Sequence, residues 1–218
     1  MSEHRQLIDQ LAGELTPVRR MPPVALMTFG WLLFLWVTVI VAINLSGPIR
    51  PGAYTDAVSN GQYSIELILG LLTIGVAGWA AVESGIPGRP RRHAVPVLAL
   101  LLLAWFACYL VGFASPALDA GMLGKRDHCF TESLLLGLPS MAAGWWLMRR
   151  LYPLRPLYSA AALGIAAGLA PGLYMQLACM YDPSHALLFH YLPGVAAAAV
   201  FVGAVALVQA RAPHAGKV

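Results

Sequence analysis

Two short stretches gather most of the side chains able to do chemistry. "LACMYDPSHALLFHYLPG" supplies Cys179, Asp182, His185 and His190, and "KRDHCFTES" supplies Asp127, His128, Cys129 and Glu132. Thiolates and imidazoles are the ligands of zinc and related cations, and two thiols close together can also form a disulfide. The spacing matches no familiar metal motif: there is no CxxC and no HExxH, and His185 and His190 stand five positions apart rather than four. No Ser-His-Asp set, phosphate loop or dinucleotide glycine fingerprint accompanies them, so the reading is not an enzyme. Cys108, within an apolar run, reads as a small packing residue.

What positions these groups follows from composition. The chain is 59% hydrophobic and 11% charged, with a mean hydropathy of +0.69, which excludes a soluble domain of 218 residues. A bilayer core about 30 Å thick needs about 20 apolar residues per helical crossing. Six runs qualify: Val24 to Leu45, Ile65 to Val82, Val95 to Ala114, Ser133 to Met148, Leu157 to Ala178, and Ala186 to Val208. The expected fold is an all-α integral membrane protein, a six-helix transmembrane bundle. The first run lies behind about twenty polar and charged residues and is too long for a signal peptide, so it is expected to remain in the mature protein.

Basic residues set the orientation. All 14 lysines and arginines except Arg50, Lys125 and Arg126 fall in the two termini and the second and fourth connections. By the positive-inside rule both termini are then cytoplasmic, and Cys129 and Cys179 lie at the outer face. The net charge of +4 is spread over short loops where anionic lipid accounts for it, so no nucleic-acid partner is implied. In an oxidising compartment a structural disulfide is one reading of the two outer thiols. His190, inside the sixth run, is either a core histidine bonded to a carbonyl or a functional group.

Three segments result: a cytoplasmic N-terminal segment 1–23, a membrane domain 24–208 and a cytoplasmic tail 209–218. In the first, Leu7, Ile8, Leu11 and Leu15 form one stripe of an amphipathic helix, with Asp9 and Glu14 among its polar residues. That acidic character suits a protein groove at least as well as a lipid surface. In the fifth run Gly164, Gly168 and Gly172 recur every four positions, in register with Ala160, a face open to close helix approach. Pro139, Pro171 and Pro193 are each expected to kink their helices.

"LIDQLAGELTPVRR", "KRDHCF", "RRLYPLRP" and "LACMYDPSHALLFHYLPG", in that order along a six-span profile, resemble the membrane-bound anti-sigma factors called negative regulator of sigma F. The resemblance covers nearly the whole chain. It implies a bacterial inner-membrane protein that sequesters an extracytoplasmic-function sigma factor and releases it under oxidative or heavy-metal stress. It further implies that Cys129 and Cys179 sense the signal, with His190 as the matching histidine. The partner-binding candidates are Leu7, Ile8, Leu11, Leu15, Arg19 and Arg20. No cofactor is expected beyond a metal ion acting as signal, for which Cys129, Cys179, His128, His185 and His190 are the candidate ligands. The alternative is a small membrane thiol oxidoreductase or a metal transporter using the same cluster. An oxidase should carry a reactive CxxC, and a transporter should carry polar groups along a path across the bilayer.

Overall fold

A computed structural model describes residues 2–13, 21–88, 93–119 and 121–211. Among them there is no strand. The helices are α1 (Ser2–Gly13), α2 (Val24–Ser46), α3 (Ala53–Ser59), α4 (Gly61–Ser84), α5 (Ala94–Ala114), α6 (Cys129–Leu135), α7 (Leu138–Arg150) and α8 (Pro156–Ala178). A short α9 (Pro183–His185) then runs through a π-helical turn (Ala186–Tyr191) into α10 (Leu192–Arg211). Leu15, Arg19 and Arg20 lie outside the described residues.

Among the described residues, five helical runs are long and apolar enough to cross a membrane: α2, α4, α5, α8 and the continuous stretch Pro183–Arg211. The remaining crossing, expected as one helix from Ser133 to Met148, is instead two helices. α6 ends at Leu135 and α7 begins at Leu138, and the 13 residues of α7 extend only about 20 Å. The break has a local cause. A Cβ on Gly137 would strike the Ala167 carbonyl oxygen of α8, so glycine lets the interrupted backbone lie directly against its neighbour. Pro139 correspondingly sits in the first turn of α7, where its missing N–H would have no intrahelical partner, rather than kinking a continuous span. Pro193 is the second residue of α10, and Pro171 lies in the interior of α8.

α8 occupies the centre. In its most apolar window 83% of residues are buried by the protein, against 50% or less in each other crossing helix. Its packing is chiefly against α10 and α4. The glycine face expected from the sequence meets the last helix: a Cβ on Gly168 would lie 2.5 Å from the Gly194 carbonyl oxygen, and one on Gly172 equally close to that of His190. Lipid tails are as apolar as leucine, so such dispersion contact, more than apolar burial, joins helices in a bilayer. Elsewhere the Trp31 indole N–H of α2 donates to the Ser140 carbonyl of α7 at 2.9 Å. Val24, Val82, Met148 and Leu151 close the end of the bundle opposite the cysteines.

The glycine contact is directly testable. Gly168→Ala should lower the melting temperature in detergent by the equivalent of about 1–3 kcal/mol, the usual cost of overpacking. Gly75→Ala on α4, where nothing lies within 4 Å of the added Cβ, should leave melting unchanged.

Candidate functional site

The polar end of the bundle is built by helix endings. Cys179 is the C-cap residue of α8, and its backbone N–H donates to the Met175 carbonyl at 2.8 Å, which fixes the sulfur at the helix terminus. Three residues on, Asp182 starts the next helix. Its carboxylate accepts the His185 N–H at 2.7 Å, the N-cap arrangement, with Pro183 in the first turn. Donation from the Ser184 hydroxyl, then from the His185 amide, holds the Asp182 carboxyl below the usual carboxylate range.

The π turn then decides where His190 goes. On an α-helix, residues five apart are turned about 140° from one another, which would separate His185 from His190. A π turn bonds i to i+5 and brings that spacing onto one side. The two rings meet edge to face with centroids 4.9 Å apart, and His185 also stacks on Phe189 at 4.8 Å. His190 is fully buried, its backbone carbonyl seated over Gly172.

Cys129 arrives from the other side as the first residue of α6. Its sulfur lies 2.9 Å from that of Cys179, the two being unbonded, and 3.1 Å from the Arg126 carbonyl oxygen. The Cys179 sulfur is also 3.5 Å from His185 Nε2. One ligand atom from each of Cys129, Cys179, His185 and His190 fits in a group whose members all lie within 4.8 Å of one another. The two sulfurs are unequal. The hydrogen bond with Cys129 first, then the two imidazoles beside it, lowers the pKa of Cys179. Cys129 is buried, and its sulfur also faces the Arg126 carbonyl oxygen.

Two arginines hold the segments together. Arg126 grips both oxygens of Glu132, at 3.0 and 3.2 Å, and donates to the Ile43 and Pro48 carbonyls and the Ser46 hydroxyl. This ties the start of α6 to the end of α2. Arg50 pairs with Asp56 at 2.7 Å, and its backbone N–H donates to Ala178, next to Cys179. A buried network continues inward. Glu66 of α4 accepts from Gln176 Nε2 at 2.8 Å and from the Tyr181 hydroxyl at 3.2 Å, while Gln176 Oε1 accepts from Tyr109 and Tyr191, both at 2.9 Å. The residues flanking Cys179 and His190 are thus fastened to α4 and α5.

The structure therefore joins Cys129, Cys179, His185 and His190 and leaves other candidates aside. His128 is exposed, at the N-cap position of α6, and is not in the group. Asp182 acts as a helix cap. Cys108 lies along α5 and is also outside it. Leu7, Ile8 and Leu11 form an exposed stripe on α1. Arg50, Arg126 and Gln176 were not anticipated as site residues, although two arginines on the side poor in basic residues are an irregularity visible in the sequence.

The chain is thus a helical membrane protein with two thiols and two imidazoles gathered at one end and an exposed apolar stripe on its first helix. The family model described as Negative regulator of sigma F matches residues 11–210, and the chain belongs to that family of anti-sigma factors. It is also similar to the Anti-sigma-F factor NrsF of Caulobacter vibrioides (strain NA1000 / CB15N), with 30% identity over 125 residues. That alignment covers 53% of this chain and 56% of the relative, so the chain spans about half the length of the curated relative it matches. No solved structure matches the chain.

The unequal thiols predict unequal titration. With 13C-labelled cysteine, the Cβ resonance of Cys179 should titrate below the ordinary thiol value. Cys129→Ala removes the S–H donor, so the Cys179 transition should move to higher pH.

Proposed function

We propose that this chain is a bacterial inner-membrane anti-sigma factor that holds an extracytoplasmic-function sigma factor inactive and releases it when the Cys129–Cys179 pair meets an oxidant or a thiophilic metal ion. The observation that carries the sensing half is the 2.9 Å approach of two buried sulfurs from separate segments. Membership of the family supports the sigma factor as partner. α6 and α7 are read together as the fourth of six crossings, which, with the distribution of basic residues, puts both termini in the cytoplasm and the thiols in the periplasm.

With a peroxide as oxidant the chemistry balances. The Cys179 thiolate attacks one peroxide oxygen, the O–O bond breaks, and the departing oxygen leaves as water after taking up a proton. The sulfenic acid that remains is displaced by Cys129: the S–S bond forms and the second oxygen leaves as water. Two thiols and one peroxide become one disulfide and two waters. α6 and the α8–α9 joint are then covalently joined, shifting the hairpins that bear them.

On the cytoplasmic side, Leu7, Ile8 and Leu11 are more than half exposed, the pattern of an amphipathic helix awaiting a groove. Burying one leucine contributes about 1.5–3 kcal/mol, so Leu7→Asp with Leu11→Asp should weaken capture of the sigma factor by at least about a hundredfold at unchanged membrane abundance. Capture at wild-type strength would move the docking surface elsewhere.

The sensing half has its own test. Cys129→Ser and Cys179→Ser should each lock transcription of the controlled genes, on or off, whatever inducer is applied, and Cys108→Ser should respond as wild type. A normal response from both outer variants would exclude the pair as the sensor.

A further inference from the structure

A thiol switch needs two sulfurs and at most one neighbouring base, yet this group holds two histidines. His190 is fully buried, and neither of its ring nitrogens makes a well-formed hydrogen bond, although the Cys179 sulfur lies within 4.8 Å of it. Buried polar groups are nearly always satisfied, and those that are not require an explanation. The backbone makes this case sharper, because a π turn, seated on Gly172, carries the ring to the sulfurs.

Resting on the reading of Cys129 and Cys179 as the sensing pair, we propose that Cys129, Cys179, His185 and His190 form a closed tetrahedral site that holds a resident zinc-class divalent cation in the resting state. Zinc–sulfur and zinc–nitrogen bonds of about 2.3 and 2.0–2.1 Å place tetrahedral ligands about 3.3–3.8 Å from one another. The separation of Cys179 Sγ from His185 Nε2, 3.5 Å, already falls in that range, and the sulfurs at 2.9 Å need only move apart by somewhat less than 1 Å. A tetrahedral S2N2 set selects zinc over cations that prefer six oxygens or a square plane. All four positions come from the protein, the pattern of a structural rather than a catalytic site.

Charge argues the same way. Two thiolates, two neutral imidazoles and one divalent cation sum to zero, the form that a buried site tolerates best. Loading displaces the protons that the two thiols still carry, and coordination gives His190 a well-formed bond in place of its loose approach to Cys179. The ion then pins the start of α6 to the α8 terminus and the π turn. Because a disulfide uses the same sulfurs, the two states exclude each other: the metal-bound dithiolate, one peroxide and two protons yield the disulfide, two waters and the free cation. The sensor thus reports oxidation by losing its ion, and a more thiophilic cation reports itself by exchange.

The experiment uses the full-length chain, reduced and purified in detergent, loaded with Zn2+ or Co2+ and dialysed. Expected are one ion per chain by elemental analysis and, with Co2+, the visible bands of a tetrahedral centre with sulfur-to-metal charge transfer. Peroxide should release the ion as the disulfide forms. His185→Ala, a half-buried residue on a short helix, and His190→Ala should each weaken binding by at least about tenfold. Both should still form the Cys129–Cys179 disulfide, detected by mass spectrometry, which shows that each variant is folded around the pair. Absence of stoichiometric metal in the reduced wild type, or histidine variants that bind as tightly as wild type, would overturn the site. Either result leaves the thiol-switch reading to stand or fall on the serine variants alone.

Discussion

Close contact between the α8 and α10 backbones is the constraint from which the rest of the molecule follows. In a bilayer, apolar surface is no more comfortable against protein than against lipid, so helices join where packing is denser than lipid can provide. Gly168 against the Gly194 carbonyl, and Gly172 against that of His190, provide it without an intervening side chain. The second contact also locates the π turn, and with it His190. Packing in the middle of the membrane and placement of the imidazole at its edge are therefore one feature.

Around that seam the polar end is organised by charges kept from water. The side chains of Arg126 and Arg50 are only 8% and 9% exposed, and each faces a carboxylate. Such pairs gain little stability over apolar substitutes, because desolvation offsets much of the attraction. What they fix is geometry. The Arg126 fork holds the end of α2, the 46–48 segment and the start of α6 in one arrangement, and Cys129 is the next helical residue. The Glu66, Gln176 and tyrosine network does the same for the segment carrying Cys179, in a part of the protein where an unpaired amide or carboxyl would be costly.

How much of this was legible depended on the range of the interaction. The apolar runs of α2, α4, α5, α8 and α10 were plain in the sequence, because the bilayer imposes a length on each run by itself. The glycine face of α8 was equally local, a repeat of four on one helix. The break at Gly137 was not, since its reason is the Ala167 carbonyl, thirty residues away in the chain. The two thiols and two imidazoles were visible and could be grouped as candidates, but a spacing of five between His185 and His190 argues against a shared face until the turn is π. Gln176 gave no signal at all, being one amide in an apolar stretch whose partners come from three other helices.

The central place of α8 bears on how the chain enters the membrane. Its mean hydropathy of 1.4 is the lowest of the five crossing helices, because the glycines and alanines that permit close packing contribute little to partitioning into lipid. It is synthesised after α2, α4, α5 and α7, so most of the pocket that shelters it already exists when it emerges. Its glycine face, however, has no cover until α10 follows. Insertion of this segment is therefore a step of assembly as much as of partitioning, with α8 held by its predecessors and sealed by its successor. His190, carried by the turn that leads into α10, is therefore the last of the four side chains to be fixed in place.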